Sequence, residues 1–388
     1  MSGGMRVKVA VIGGRLQGIE ASYLAQREGW EVTLIDRDPR APAIGMSDSF
    51  VAIDITSNSS KLTEAIKDVD LIIPALEDPH ALHTIHEKAK RVGVVLAYDR
   101  NAYSISSSKL KSNALFRDLG IPTPKTWPEC RLPIIVKPSS SSGSRGIRIV
   151  NRNEELHEII DSSEYSSHET VIQEFIPGPV YSIEVFGNQN RFIAGQITKI
   201  EVDSTLDCKR VLAPAVISDE LKRLLREYSL RMAQAISLKG IMDVEAILNN
   251  DKWKVIEIDA RLPSQTPTTV YHSTGINYLR FLYDIFNKGI LPDIPSEYHE
   301  DYVIFEHIIV TSGILNILGE HVLSDAGFLI LKEDFFGADE AITDYNPGSE
   351  NWVATLIIKE RDEKKLREKH RAIIENIKQV LKTATFAI

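Results

Sequence analysis

The stretch from Gly240 to Thr268, GIMDVEAILNNDKWKVIEIDARLPSQTPT, constrains this chain more than any other. Two alternating apolar runs, Ile241 to Leu248 and Trp253 to Ile258, flank Asn249, Asn250 and Asp251, which reads as an antiparallel hairpin. Successive side chains on a strand point to opposite faces. Asp243 and Glu245 therefore share one face of the first strand, and Glu257 and Asp259 share one face of the second, while Ile256 and Ile258 turn toward a core. Four carboxylates converge with no Lys or Arg between them in their own strands. At that density they repel and raise one another's pKa unless a cation sits among them. Hard oxygen ligands suit Mg²⁺, which takes one or two protein carboxylates and completes its shell with water and substrate phosphates. The same pattern fits a solvated acidic strand face, so the hairpin alone leaves both readings open.

Bulk properties narrow the setting. At 388 residues the chain has room for two or three domains. A net charge of −9 argues against a nucleic-acid partner, whose phosphates would be repelled. Cys130 and Cys208, the only cysteines, make neither a disulfide framework nor a thiolate metal site, as expected in a reducing cytoplasm. No apolar run is long enough to span a bilayer, and MSGGMRVKVAV passes directly into a strand rather than a signal sequence. The expectation is a cytoplasmic protein with no membrane partner.

Val7 to Ile12 has a buried-strand pattern and ends in Gly13 and Gly14. A helical run from about Gln17 to Glu28 and a strand from Glu31 to Ile35 follow, with Asp36 at the strand end. This is the β-α-β start of an α/β domain. Glycines 13, 14 and 18 do not fit G-x-G-x-x-G, so a fold whose first turn needs glycines is favoured over a dinucleotide site. The alternation continues to about Tyr103, giving an N-terminal Rossmann-like domain over 1–104. A central region over 105–291 and a C-terminal α+β region over 292–388 follow, so the fold class is α/β with α+β.

In the central region, ISSSKLKSNALFRDLGIPTP reads as a capped helix with Leu110, Ala114, Leu115 and Leu119 inward. Lys109 and Lys111 lie in its first turn, where the helix dipole disfavours cations and a phosphate would be welcome. Lys111 reads better as a solvated surface lysine. The strand Leu132 to Val136 closes on Lys137, and Ser139, Ser140, Ser141, Ser142, Gly143, Ser144, Arg145 and Gly146 then form a loop rich in N–H and hydroxyl donors, suited to phosphates or simply a mobile hairpin loop. Strands from Thr170 to Ile176 and from Phe192 to Ile200 enclose one carrying Ser182 and Glu184 on a common face. A polar loop, EVDSTLDCKRV, and a helix from Asp219 to Leu238 lead into the hairpin. Beyond it, Arg261 to Thr268 reads as an irregular loop and Gly275 to Phe286 as a helix. Short strands at 302–310, 328–331 and 352–359 and a charged helix at 363–382 carry no catalytic signal.

Lys109, Lys137 with its Ser/Gly loop, QEFIPG and the acidic hairpin, in that order, resemble the ATP-grasp superfamily over about residues 1–300. The resemblance implies ATP and Mg²⁺ as cofactors. Lys109 and Lys137 would be the phosphate-contacting lysines, and the loop with Ser139, Ser142, Gly143, Ser144 and Gly146 the cover over the phosphates. Gln173, Glu174, Phe175 and Ile176 would be the hinge at adenine, and Glu245, Glu257 and Asp259 the metal ligands. Two positions depart from the superfamily pattern. Asp259 stands where Asn is common, and Val180 where many members place a ribose-binding Glu.

A narrower resemblance is to the PylC family of pyrrolysine-pathway ligases, carried by GGRLQGIEA, GPVYSIEV, TLDC and GIMDVEA through IEIDARLPSQTPT to GIN. It implies that Ser182, Glu184 and Asp243 hold an ornithine-type substrate, with Leu16, Gln17 and Ser264 as further substrate contacts. The substrates implied are 3-methyl-D-ornithine or D-ornithine and L-lysine, whose ammonium groups suit acidic partners. The carboxylate would be phosphorylated by ATP, and the lysine ε-amine would displace phosphate from the acyl phosphate, with Lys137 and Arg261 stabilising charge. A ligase acting on another amino-acid pair, a dinucleotide-dependent oxidoreductase and a non-catalytic nucleotide-binding regulator are the competing readings. A homo-oligomer is left open.

Overall fold

A computed structural model of the chain describes residues 6–57, 60–140, 143–144, 146–162, 169–295 and 300–385. They form two compact units, Met1–Tyr98 with Cys208–Pro214 and Leu262–Ile388, and Asp99–Asp207 with Ala215–Arg261. The first unit opens with β1 (Lys8–Ile12), α1 (Leu16–Arg27), β2 (Glu31–Asp36), β3 (Ser49–Ala52), α2 (Ser60–Ile66), β4 (Leu71–Pro74), α3 (Pro79–Val92) and β5 (Val95–Leu96). The strands make a parallel sheet in the order β3-β2-β1-β4-β5. Val9 to Ile12 are wholly buried, as a parallel strand covered on both faces requires. Gly13 has φ 112°, and a Cβ there would collide with the Ala75 carbonyl, so only glycine lets the chain leave β1 toward α1.

The second unit runs through α4 (Arg100–Ser106), α5 (Lys109–Asp118), β6 (Ile134–Pro138), β7 (Arg148–Val150), α6 (Asn153–Ile160), β8 (Thr170–Glu174), β9 (Val180–Asn188) and β10 (Phe192–Val202). The chain supplies β11 (Cys208–Ala213) to the first unit, then returns for α7 (Asp219–Ala235), β12 (Lys239–Asn249) and β13 (Lys252–Asp259). Two sheets result, β7-β6-β8 and the antiparallel β13-β12-β9-β10. The hairpin turn places Asn250 and Asp251 at φ 48° and 57°, left-handed values that Asn and Asp tolerate. Behind the hairpin, Val244, Ala246, Val255 and Ile258 pack with Phe116, Leu225 and Met232 into one core.

The first unit is completed by α8 (Thr266–Thr274), α9 (Tyr278–Tyr283), β14 (Tyr302–Thr311), β15 (Ile314–Ile317), β16 (Ile330–Phe335), β17 (Ala338–Thr343), β18 (Trp352–Glu360) and α10 (Glu363–Thr385). Here the sheet order is β11-β14-β18-β17-β16, with β15 on β14. Leu366, Ile373 and Ile377 of α10 pack on its Ile308, Leu356 and Ile358.

Several expectations are corrected. In α5 the buried face is Lys109, Ser112 and Phe116, while Leu110 is 37% exposed. The helix turns this way because Lys109 has a carboxylate partner far along the chain, which a hydrophobic period cannot register. The stretch read as a loop through Thr268 becomes α8 from Thr266, and Gly275 is the left-handed residue that ends α8 instead of starting a helix. Thr, Val, Tyr and His are weak helix formers, so α8 owes its existence to burial. The sequence reading also missed β11, β15 and β17.

Candidate active site

Three neighbouring strands of the second unit build the acidic face. In the β9–β12 ladder Glu184 pairs with Asp243 and Ser182 with Glu245. In the β12–β13 ladder Asp243 pairs with Asp259 and Glu245 with Glu257. Cross-strand partners project to the same side. The result is two rows, Ser182–Glu245–Glu257 and Glu184–Asp243–Asp259. Ser182 and Glu184 are fully buried, and Ser182 Oγ donates to Asp243 Oδ1.

Cations meet this face from three sides. Lys109, at the start of α5, donates to Glu257 Oε1 at 2.7 Å. Lys137, 5% exposed on β6, donates to the Ile256 carbonyl at 3.4 Å. Arg261 Nη2 lies 2.7 Å from Asp259 Oδ2. Burial pushes the Lys137 ammonium down from its ordinary value, and Lys109 adds to the push, while Glu257 and Glu245 oppose it. Burial also drives Asp243 and Glu245 well above the carboxylate range. Glu184 and Asp259 reinforce this for Asp243, as do Asp243 and Glu257 for Glu245. Among the described residues, Lys109, Lys137 and Arg261 meet a face that carries the five carboxylates of Glu184, Asp243, Glu245, Glu257 and Asp259. An all-oxygen donor set held at this density fits a hard divalent cation, so the residues suit Mg²⁺.

The phosphate-side residues take up distinct places. Ser139 is buried, its carbonyl accepts the Lys109 N–H at 2.9 Å and its Oγ accepts the Leu110 N–H at 3.3 Å, so it locks the end of β6 to the first turn of α5. Gly143, Ser144 and Gly146 all have positive φ, and Ser144 Oγ donates to the Leu206 carbonyl at 2.7 Å. Ser142, with Ser141 and Arg145, lies outside the described residues. Lys111 is exposed and donates to the Ser104 carbonyl at 3.0 Å. At the end of β8, Gln173 is buried, the N–H groups of Glu174 and Phe175 reach the Lys125 and Pro133 carbonyls, and Ile176 follows.

Leu16, Gln17 and Ser264 belong to the first unit. Gln17 donates to Glu77 Oε1 at 2.9 Å, and Ser264 Oγ donates to Glu320 Oε2 at 2.9 Å. At the first βα turn, Asp36 accepts the N–H groups of Gly14 at 2.6 Å and Asp38 at 2.8 Å. In a dinucleotide fold that acid faces the ribose. Here it is bound to backbone, and the geometry lends the oxidoreductase reading no support. Sequence reasoning gave no role to Glu20 and Glu320, which bond to the segment around Ser264. A Glu amid the buried run from Gly18 to Ala25 was the signal available for the first.

Residues 106–265 match an ATP-grasp domain family, and residues 9–97 match a PylC-like N-terminal domain family. The chain is 38% identical to the 3-methyl-D-ornithine–L-lysine ligase of Methanosarcina mazei over 317 residues, 81% of this chain and 82% of that protein. The protein of the same name from Methanosarcina barkeri is 36% identical over 318 residues, 81% of this chain and 84% of its own. The chain belongs to the 3-methyl-D-ornithine–L-lysine ligase family. Its ATP-grasp fold extends across more distant ligases. An N5-carboxyaminoimidazole ribonucleotide synthetase in complex with ADP superposes with TM-score 0.70 at 12% identity, covering 95% of this chain and 98% of the other. Biotin carboxylase from Campylobacter jejuni gives 0.71 at 15%, covering 97% and 94%. As a member of this ligase family the protein is an ATP-grasp carbon–nitrogen ligase. Among the described residues no helix is long and apolar enough to cross a membrane.

Proposed function

We propose that the protein joins the carboxylate of 3-methyl-D-ornithine to the ε-amine of L-lysine, with ATP converted to ADP and phosphate, in pyrrolysine biosynthesis. The observation that carries this reading is the two-row acidic face, where metal-type acids and acids suited to a diamino acid stand side by side on three strands. Ser182, Glu184 and Asp243 receive the ammonium groups of the ornithine-type substrate by charge-assisted hydrogen bonds. That places its carboxylate beside the row of Glu245 and Glu257.

Glu245, Glu257 and Asp259 hold Mg²⁺, which when bound supplies charge neutralisation on the transferring phosphoryl group. Lys109 and Lys137 contact the phosphates, with donors from Ser139, Gly143, Ser144 and Gly146, and the chain from Gln173 to Ile176 borders the adenine. Arg261, now paired with Asp259, stabilises the oxyanion as the lysine amine attacks the acyl phosphate. Leu16, Gln17 and Ser264 contribute to the amino-acid side. Cys130 and Cys208 form no disulfide, in keeping with a cytoplasmic enzyme.

The test is positional isotope exchange in γ-labelled ATP with 3-methyl-D-ornithine and no lysine. Scrambling that needs the ornithine supports acyl phosphorylation of that substrate. Equal scrambling without it contradicts the assignment.

A further inference from the structure

Glu20 lies in the middle of α1, 3% exposed, with Ile19 and Ala21 buried beside it. Its carboxylate serves another segment's backbone. Oε2 accepts the N–H of Gln265 at 3.1 Å, and Oε1 accepts the N–H of Thr268 at 2.6 Å. These are the N-cap and third residues of α8, the two donors that a capping box satisfies from within its own helix. Here α8 has no such box. Gln265 makes no side-chain bond into the helix, the third residue is Thr, and Pro267 carries no N–H.

We propose that Glu20 is a positioning residue for amino-acid substrate binding, a capping carboxylate supplied by α1 that fixes the Ser264–Gln265 turn. The inference rests on the reading that Ser264 meets substrate. Gln265 has φ 74° and ψ −55°, the strained γ-turn geometry that a non-glycine residue keeps only where its surroundings over-determine it. Those surroundings are specific. Besides the bond from its N–H to Glu20, its Nε2 donates to Glu320 Oε2 at 2.6 Å, and its Oε1 accepts from Cys208 Sγ at 2.9 Å. Its carbonyl accepts the N–H and Oγ1 of Thr269 at 3.0 and 2.7 Å. The Ser264 hydroxyl is aimed by the same Glu320 oxygen, at 2.9 Å.

Starting a helix needs none of this strain, since Ser or Asp at an N-cap satisfies the third N–H with relaxed backbone. The strained turn is retained for what it orients. Leu16 and Gln17, one turn ahead of Glu20 on α1, are tied to the same anchor, so substrate residues from two separate sequence regions share one frame.

The experiment compares wild type with Glu20→Gln, Glu20→Asp, Ser264→Ala and the Glu20→Gln/Ser264→Ala double variant. An amide can accept one of the two N–H groups but sets its NH₂ against the other. The expected result for Glu20→Gln is a KM for the amino-acid substrates raised about tenfold, with KM for ATP within about twofold of wild type. Glu20→Asp should recover part of the loss, and the double variant should be no worse than Ser264→Ala. Should Glu20→Gln fail to fold, the Glu20→Asp comparison decides. Unchanged KM values, or losses that multiply in the double variant, would overturn the proposal. Wild-type turnover in the same assay reports separately on the substrate reading. If that fails, hydrogen exchange of the peptide Leu262–Val270 still decides the anchoring, because Glu20→Gln must speed exchange there and an unchanged rate rejects it.

Discussion

The ammonium group of Lys109 lies 2.7 Å from Glu257 Oε1, joining the first turn of α5 to the middle of β13. Both side chains are largely enclosed, at 8% and 30% exposure, so the pair fixes the helix against the acidic hairpin. A lysine assigned to phosphate and a carboxylate assigned to metal are thus placed by each other. Removing either charge should disturb chemistry more than folding, because the hairpin has its own apolar underside.

Glu257→Gln therefore should cut ADP formation by about 100-fold or more, with the far-ultraviolet circular dichroism spectrum unchanged. Near-normal turnover in that variant would remove Glu257 from the metal site.

Ser182→Ala takes away the hydroxyl that donates to Asp243 Oδ1. Without it the Asp243 carboxylate loses a hydrogen bond that lowers its pKa, and its ionised form is less favoured. KM for the ornithine-type substrate should rise about tenfold, while KM values for lysine and ATP stay near wild type. A change confined to the KM for ATP would reassign Ser182 to the nucleotide.

Much of this site follows from local rules. A period-two pattern sets Asp243 with Glu245 and Glu257 with Asp259, but counted from the Asn249–Asp251 turn it would oppose Glu245 to Ile256. A bulge at Ile256 shifts the register and brings all four acids to one side, and it also takes Ile256 out of the core face expected for it. That Ser182 and Glu184 extend the face depends on β9 lying beside β12, a pairing between strands more than fifty residues apart in sequence that no local signal encodes. The same limit explains α5 and α8. Lys109 is buried because Glu257 receives it, and α8 forms by burial where Thr, Pro and Tyr argue for a loop, with Glu20 accepting the N–H groups at its start. Tertiary partnerships at long range decide these elements, and hydrophobic periodicity is blind to them.

His307 and His272 are buried and held neutral in the fold, each pushed down to about 3 from 6.5 chiefly by burial. As pH falls the unfolded chain takes up these protons first. Their contribution is therefore full above about pH 6.5 and drains between 6.5 and 3, at about 1.4 kcal/mol per pH unit for each. Glu20, pushed up to about 7 from 4.5 by burial, acts in the opposite sense, stabilising below 4.5 and losing that contribution as pH rises through 7. Asp243 and Glu245, which burial also holds well above 3.8 and 4.5, act in the same sense as Glu20, so these carboxyls oppose the histidines until pH falls below 3.8, where both histidines act unopposed by them. Thermal melts should show Tm falling as pH drops below 3.8, where these carboxyls no longer oppose the histidines. His307→Asn, which can still bond Thr355 Oγ1, should flatten the decline. An identical slope in that variant would show that His307 does not titrate on unfolding.

The central claim is tested most directly by ADP release with Mg-ATP and L-lysine, comparing 3-methyl-D-ornithine, D-ornithine and L-ornithine as acid partners, with mass spectrometry of the product. The account predicts lysine-dependent ADP release with the D-configured acids and a product mass equal to ornithine-type acid plus lysine less one water. ADP release that ignores both amino acids, or a condensed product from a different acid and amine only, would contradict it.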